Sequence, residues 1–114
     1  MSEGVAILGI FVADTAYMAS RLPVIGETII GSDFSIGPGG KGSNQAVAAA
    51  KAGAKVSFLS KIGRDTFGDL ALKTWGAEGI DPRVVVSDSD GTGAAFIFVN
   101  PATGENAIIV YPGA

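Results

Sequence analysis

Gly37-Pro38-Gly39-Gly40-Lys41-Gly42-Ser43-Asn44-Gln45 runs without a break into Ala46-Val47-Ala48-Ala49-Ala50-Lys51-Ala52. The second half reads as a helix because alanine is the best helix former. Ser43 or Asn44 is suited to cap its first turn, and Gly53 to end it. In the first half, glycines 37, 39, 40 and 42 bare the backbone, so N–H groups can approach a ligand closely. The start of the helix adds unpaired donors and a positive dipole end. Lys41 contributes a mobile charge, and Asn44 a side chain that both donates and accepts. Such a loop suits a hydroxyl-rich or anionic ligand. A tight connection with Lys41 simply solvated fits the same residues, and local chemistry leaves both open.

Two phosphate-binding patterns fail at this loop. A P-loop needs glycine, four residues, then Gly-Lys-Ser/Thr; here Ser35 stands at the first glycine and Gly42 follows Lys41. A dinucleotide fingerprint needs a second glycine after the first strand, and Gly9-Ile10-Phe11-Val12 lacks it.

Before the loop, Val5-Ala6-Ile7-Leu8-Gly9-Ile10-Phe11-Val12 is a continuous apolar run. Its length suits a strand covered on both faces, with Asp14 at its carboxyl end. The segment from Glu27 to Ile36 reads as a more exposed strand pair. After the loop, Lys55–Ile62 reads as a strand, and Asp65 or Thr66 opens a helix with Phe67, Leu70, Ala71 and Trp75 as its apolar positions. Trp75 is expected in the core or between helix and sheet. Gly79-Ile80 resembles a helix stop followed by a hydrophobic contact. Arg83–Val86 is a third short strand, and Gly93–Val99 with Ala107–Tyr111 form a hairpin across the turn-rich 100–106. Alternating strands and helices predict a doubly wound α/β sheet, whose ligands bind beyond the carboxyl ends of the strands. Three core strands with two helices make half of such a sheet, so the expectation is a piece of a longer domain.

Composition narrows the chemistry. The chain of 114 residues has 47% hydrophobic residues, 8 Lys and Arg, 11 Asp and Glu, and a net charge of −3. The basic residues are scattered, which argues against a nucleic-acid surface. No apolar run approaches a membrane span, and Met1-Ser2-Glu3-Gly4 lacks the basic start of a signal peptide. The expectation is a soluble cytoplasmic protein that binds neither nucleic acid nor membrane. Cysteine and histidine are absent. Disulfides, Cys/His zinc sites, thiol catalysis and Ser-His-Asp triads are therefore excluded within these residues. Asp14 is a candidate because a carboxylate accepts hydrogen bonds well from sugar hydroxyls; position alone leaves a solvated loop or a cap open.

Gly39-Gly40-Lys41-Gly42-Ser43-Asn44-Gln45-Ala46, continuing through Gly53 to Gly63, resembles the first signature of the ribokinase-like (PfkB) carbohydrate kinases. The string from Gly40 through Ala50 is most similar to the ribokinase branch. Gly26-Glu27-Thr28, Gly63-Arg64-Asp65 with Phe67-Gly68, Gly79-Ile80-Asp81 and Thr92-Gly93 agree with it, so the resemblance covers nearly the whole chain. It implies the amino-terminal half of a Rossmann-like α/β fold with a small β-sheet lid. The lid would take residues of about 15–36 and 92–111, and the core about 4–14 and 37–91. It also implies phosphoryl transfer from ATP to a sugar hydroxymethyl group, with Mg²⁺ and commonly a monovalent cation such as K⁺, and a homodimer clasped through the lid.

Carried over by position, Asp14 would hold the sugar hydroxyls, and Gly40, Lys41 and Asn44 would line the same pocket. No residue here is expected to ligate a metal. Two departures stand out. Ribokinases typically carry asparagine two residues before the aspartate, where this chain has Val12. The family's Gly-x-Gly-Asp motif, with its catalytic aspartate, anion hole and nucleotide site, is expected beyond Ala114, so the 114 residues alone should not turn over. A kinase for a nucleoside or another sugar is the alternative within this class. A non-catalytic carbohydrate-binding module, or a generic nucleotide-binding α/β domain, is the alternative outside it.

Overall fold

The computed structural model describes residues 4–114; the reading of the first three residues as lacking a signal-type start lies outside the described residues. The elements are β1 (Gly4–Leu8), β2 (Val12–Met18), β3 (Asp33–Gly39), α1 (Lys41–Lys51), β4 (Lys55–Gly63), α2 (Thr66–Ala77), β5 (Asp81–Ser87), β6 (Thr92–Val99) and β7 (Asn106–Gly113). They form two sheets. One is parallel and three-stranded in the order β1-β4-β5; the other is four-stranded in the order β3-β2-β6-β7.

The apolar run 5–12 is not one strand. It breaks at Gly9-Ile10-Phe11, and β2 resumes in the other sheet. Glycine permits that crossing: a β-carbon on Gly9 would lie 3.1 Å from the Cα of Gly42 in α1. Phe11 stays buried at the junction. Asp14 is therefore the third residue of β2, not the tail of the first strand. β2 lies antiparallel to β3 and parallel to β6, in the register Asp14↔Gly37 and Asp14↔Ala95. The expected strand pair within 27–36 is a single strand beginning at Asp33. Pro38 is tolerated in β3 because that strand is a sheet edge. The 93–111 hairpin is present as β6 and β7.

Both helices end in Schellman turns. In α2, the N–H of Ile80 donates to Trp75 O (3.0 Å) and that of Gly79 to Gly76 O (3.1 Å); Ala54 and Gly53 repeat the arrangement on Ala49 and Ala50 (3.1 and 3.0 Å). Asp65 caps α2 through Gly68 N–H. The cap of α1 differs from the sequence expectation: Gly40 stands at the N-cap, and neither Ser43 nor Asn44 bonds the helix end. Ser43 is instead turned inward, accepting the indole N–H of Trp75 at 3.0 Å.

The core lies between the helices and one face of the parallel sheet, where Val56, Phe58 and Ile62 of β4 meet Ala46, Ala71, Trp75 and Ile80. Trp75 is fully buried, packed edge-on to Phe11 (5.7 Å, 86°) and tilted against Phe58 (5.0 Å). Small alanines on α1 let its backbone come close to the sheet. The opposite face of this sheet is open: Leu8 is 82% exposed and Val85 63%. A doubly wound sheet covers both faces, and the described residues cover one.

Candidate functional site

The corner where β3 turns into α1 lies directly beside β2. Val12 pairs with Gly39 and Asp14 with Gly37. Strand alternation places Val12, Asp14, Gly37 and Gly39 on the same face of the four-stranded sheet. The Asp14 carboxylate leans over Gly39 so closely that a β-carbon there would sit 2.5 Å from either carboxylate oxygen. Glycine at 39 is thus a condition for the placement of Asp14.

Gly40 is held at φ 92°, and a β-carbon on it would lie 2.5 Å from Ile10 O. Both facts require glycine. The turn it makes aims the start of α1 at the same corner. Asn44 N–H makes the first helical bond, to Gly40 O at 2.9 Å. With no side chain capping this end, the N–H groups of Lys41, Gly42 and Ser43 have no intrahelical acceptor. The structure thus brings Asp14 and Gly40 together at one corner. Lys41 and Asn44 lie on the adjoining first turn with exposed side chains.

Asp14 is half-buried, and burial raises its carboxyl above the ordinary aspartate value. Its oxygens accept no hydrogen bond from the described side chains. Val12, on the same face, is 6% exposed and presents only methyl groups. The corner therefore offers one poorly solvated carboxylate, a row of backbone donors, an amide, an ammonium and an apolar wall. That set can hold a polyhydroxylated molecule by accepting from its hydroxyls and donating to its oxygens. Among the described residues no group of three or more His, Cys, Asp or Glu is placed to hold a metal ion.

Sequence reasoning missed two features. Arg21 forms a two-pronged pair with Glu27 (2.6 and 2.9 Å), which holds the Glu27 carboxyl down to about 2. Their spacing matches no helical or strand rule, so nothing in the sequence signals it. This pair borders a cleft of about 270 Å³ with Tyr17, Phe96 and Phe98; by alternation those rings lie on the sheet face opposite Asp14. The second feature is Thr92, whose hydroxyl bonds Asp65 across the fold.

The description of the pfkB family of carbohydrate kinases matches residues 2–114. The chain belongs to that family. It is 40% identical over 114 residues to mouse ribokinase, covering 99% of this chain and 35% of that protein. It is likewise 40% identical over 111 residues to the deoxyribokinase of Salmonella typhi, covering 96% of this chain and 36% of the relative. Among solved structures, Arabidopsis thaliana ribokinase complexed with ribose and ATP superposes with a TM-score of 0.92 at 32% identity, over 100% of this chain and 37% of the other. The chain thus spans about a third of the length of the kinases it matches, and it corresponds to their amino-terminal part. Its fold is α/β, the amino-terminal part of the ribokinase fold. No helix among the described residues of this pfkB-family chain is long and apolar enough to cross a membrane.

Proposed function

We propose that this segment holds the acceptor sugar of an ATP-dependent kinase that phosphorylates the hydroxymethyl group of ribose. The observation that carries the reading is the corner itself: Asp14 leaning over Gly39, next to Gly40 at the start of α1. Asp14 accepts from two sugar hydroxyls, which its raised carboxyl value makes worthwhile because each donor replaces hydration already lost. Gly40 lets backbone N–H groups reach sugar oxygens. Asn44 and Lys41 complete the wall. In phosphoryl transfer the protein contributes mainly positioning and charge stabilisation. The role of this segment is the first of these.

The four-stranded sheet acts as a lid that excludes water from the sugar. Its other face carries the rings of Tyr17, Phe34 and Phe96, at 5.0 and 5.3 Å, with exposed Ile36, Ile109 and Tyr111. That apolar surface supports a homodimer joined through the lid. The aspartate that activates the hydroxyl belongs to the remainder of the protein. So, for the most part, do the sites for ATP, Mg²⁺ and a monovalent cation such as K⁺. The protein works in the cytoplasm.

Val12 favours a second reading. An apolar wall beside Asp14 offers no partner to a hydroxyl that meets it, and a buried unpaired hydroxyl costs about 1–3 kcal/mol. A sugar lacking that hydroxyl, such as deoxyribose, escapes the cost. A panel of ribose, deoxyribose, other sugars and nucleosides with ATP and full-length protein separates the readings by product formation. Ribose as preferred substrate upholds the first, deoxyribose the second, and a nucleoside overturns both.

A further inference from the structure

Among the described residues the chain crosses between the two sheets at residues 9–11, at Gly40 and at residues 88–91. The first two crossings turn on glycine. The third is pinned by side chains. Thr92, the first residue of β6, is 4% exposed. Its backbone N–H donates to Asp65 Oδ2 at 2.9 Å, and its hydroxyl donates to Asp65 Oδ1 at 2.6 Å. The same hydroxyl accepts from Gly63 N–H at 2.8 Å. Its single proton goes to the carboxylate, since the competing acceptor, Gly63 O, is 3.4 Å away.

Asp65 Oδ1 also takes Gly68 N–H at 2.8 Å. One carboxylate therefore caps α2 and grips a strand of the other sheet, 27 residues along the chain. A serine or threonine would serve as a cap; only a carboxylate brings the second oxygen that takes the Thr92 backbone N–H while Oδ1 is shared by Gly68 N–H and the Thr92 hydroxyl. The surroundings are built tightly around this junction: a β-carbon on Gly63 would lie 2.6 Å from Thr92 N and 2.8 Å from Asp65 Oδ2. Ala114 N–H closes the same corner from the end of β7, donating to Gly91 O at 2.8 Å.

β6 pairs with β2 in a register that sets Gly93 against Val12 and Ala95 against Asp14. The β2–β3 pairing sets the height of Asp14 over Gly39 within the sheet, whereas an anchor on β6 bears on where that sheet, and Asp14 with it, stands relative to the start of α1. We propose that Asp65 is a positioning residue: through Thr92 it sets the angle of the four-stranded sheet over the helical layer, and with it the placement of Asp14. The inference rests on the reading that Asp14 holds the acceptor sugar.

The test uses full-length protein carrying Asp65→Ser, which keeps a cap for Gly68, or Thr92→Val, which keeps the cap intact. Spin labels at Lys73→Cys on α2 and Thr103→Cys in the β6–β7 turn report the distance between the layers. Both variants are expected to broaden that distance distribution. They are also expected to raise the KM for sugar at least tenfold, with the KM for ATP within twofold of wild type. A lowered melting temperature with an unchanged distance distribution and unchanged sugar KM makes Asp65 a cap only and overturns the proposal. If wild-type protein phosphorylates no sugar, the sugar reading fails; the width of the distance distribution then still decides whether Asp65 is a joint.

Discussion

Trp75 donates its indole N–H to Ser43 Oγ at 3.0 Å, and both residues are buried, 0% and 1% exposed. This bond ties α2 to the first turn of α1, one turn from the Gly40 corner. An indole N–H buried without a partner is costly, so Ser43 is placed for structure rather than for capping.

Ser43→Ala should cost about 1–3 kcal/mol of stability, the penalty for stranding a buried donor. Trp75→Phe opens a gap in the core and costs stability of its own, but because it removes that donor, the double variant should lose less than the sum of the two single losses. Urea unfolding of wild type, both single variants and the double variant measures the coupling. Additive effects would show that the bond contributes nothing.

Gly40→Ala should be more damaging at the site than its size suggests. The new methyl would meet Ile10 O, and the backbone at φ 92° disfavours any side chain. A loss of about 1–3 kcal/mol in stability is expected, together with weakened sugar binding as the start of α1 shifts. Gly53→Ala is the control. It too has a positive φ, 97°, but no atom lies within 4 Å of its β-carbon, and it is far along the helix. It should lose stability with sugar affinity retained.

Much of this fold was legible because it is written in local rules. The stops at Gly53 and Gly79, the Asp65 cap and the 93–111 hairpin all follow from short-range chemistry. The resemblance in residues 39–63 identified the family. What could not be read was long-range. Nothing in an eight-residue apolar run says that the chain changes sheets at Gly9, because both halves are equally apolar. The parallel pairing of β2 with β6 joins residues about 80 apart and leaves no periodic trace. Ser43 looked like a cap because its residue type favours caps; tertiary demand from Trp75 overrode that preference.

Acid should separate Asp14 from Asp65. Burial raises Asp14, so the folded protein binds this proton more readily than the unfolded chain. Ionised Asp14 therefore subtracts stability once pH exceeds its raised value, and the penalty fades as pH falls from there towards 3.8. Asp65 is lowered, chiefly by the Thr92 hydroxyl, so its contribution is present above 3.8 and lost as pH falls through its lower folded value. Asp14→Asn should thus raise the melting temperature at pH 7 while weakening sugar binding, and Asp65→Asn should lower it. Thermal melts from pH 3 to 7 check both signs.

The open face of the parallel sheet gives a further expectation. Leu8, Leu59 and Val85 present apolar surface on the side away from the helices, where a longer protein has room to cover them. The 114-residue segment made alone should self-associate as concentration rises, and Leu8→Lys with Val85→Lys should suppress it. Sedimentation of both forms reads the result. A monomer at all concentrations would contradict it.

The central claim, that this segment grips the acceptor sugar, is tested most directly by calorimetric titration of ribose into full-length protein and its Asp14→Ala variant. Loss of charge-assisted hydrogen bonds worth about 1.5–3 kcal/mol predicts binding weaker by roughly 10- to 150-fold, with the fold intact by circular dichroism. Equal affinity in the two proteins would take Asp14 out of the site and contradict the account.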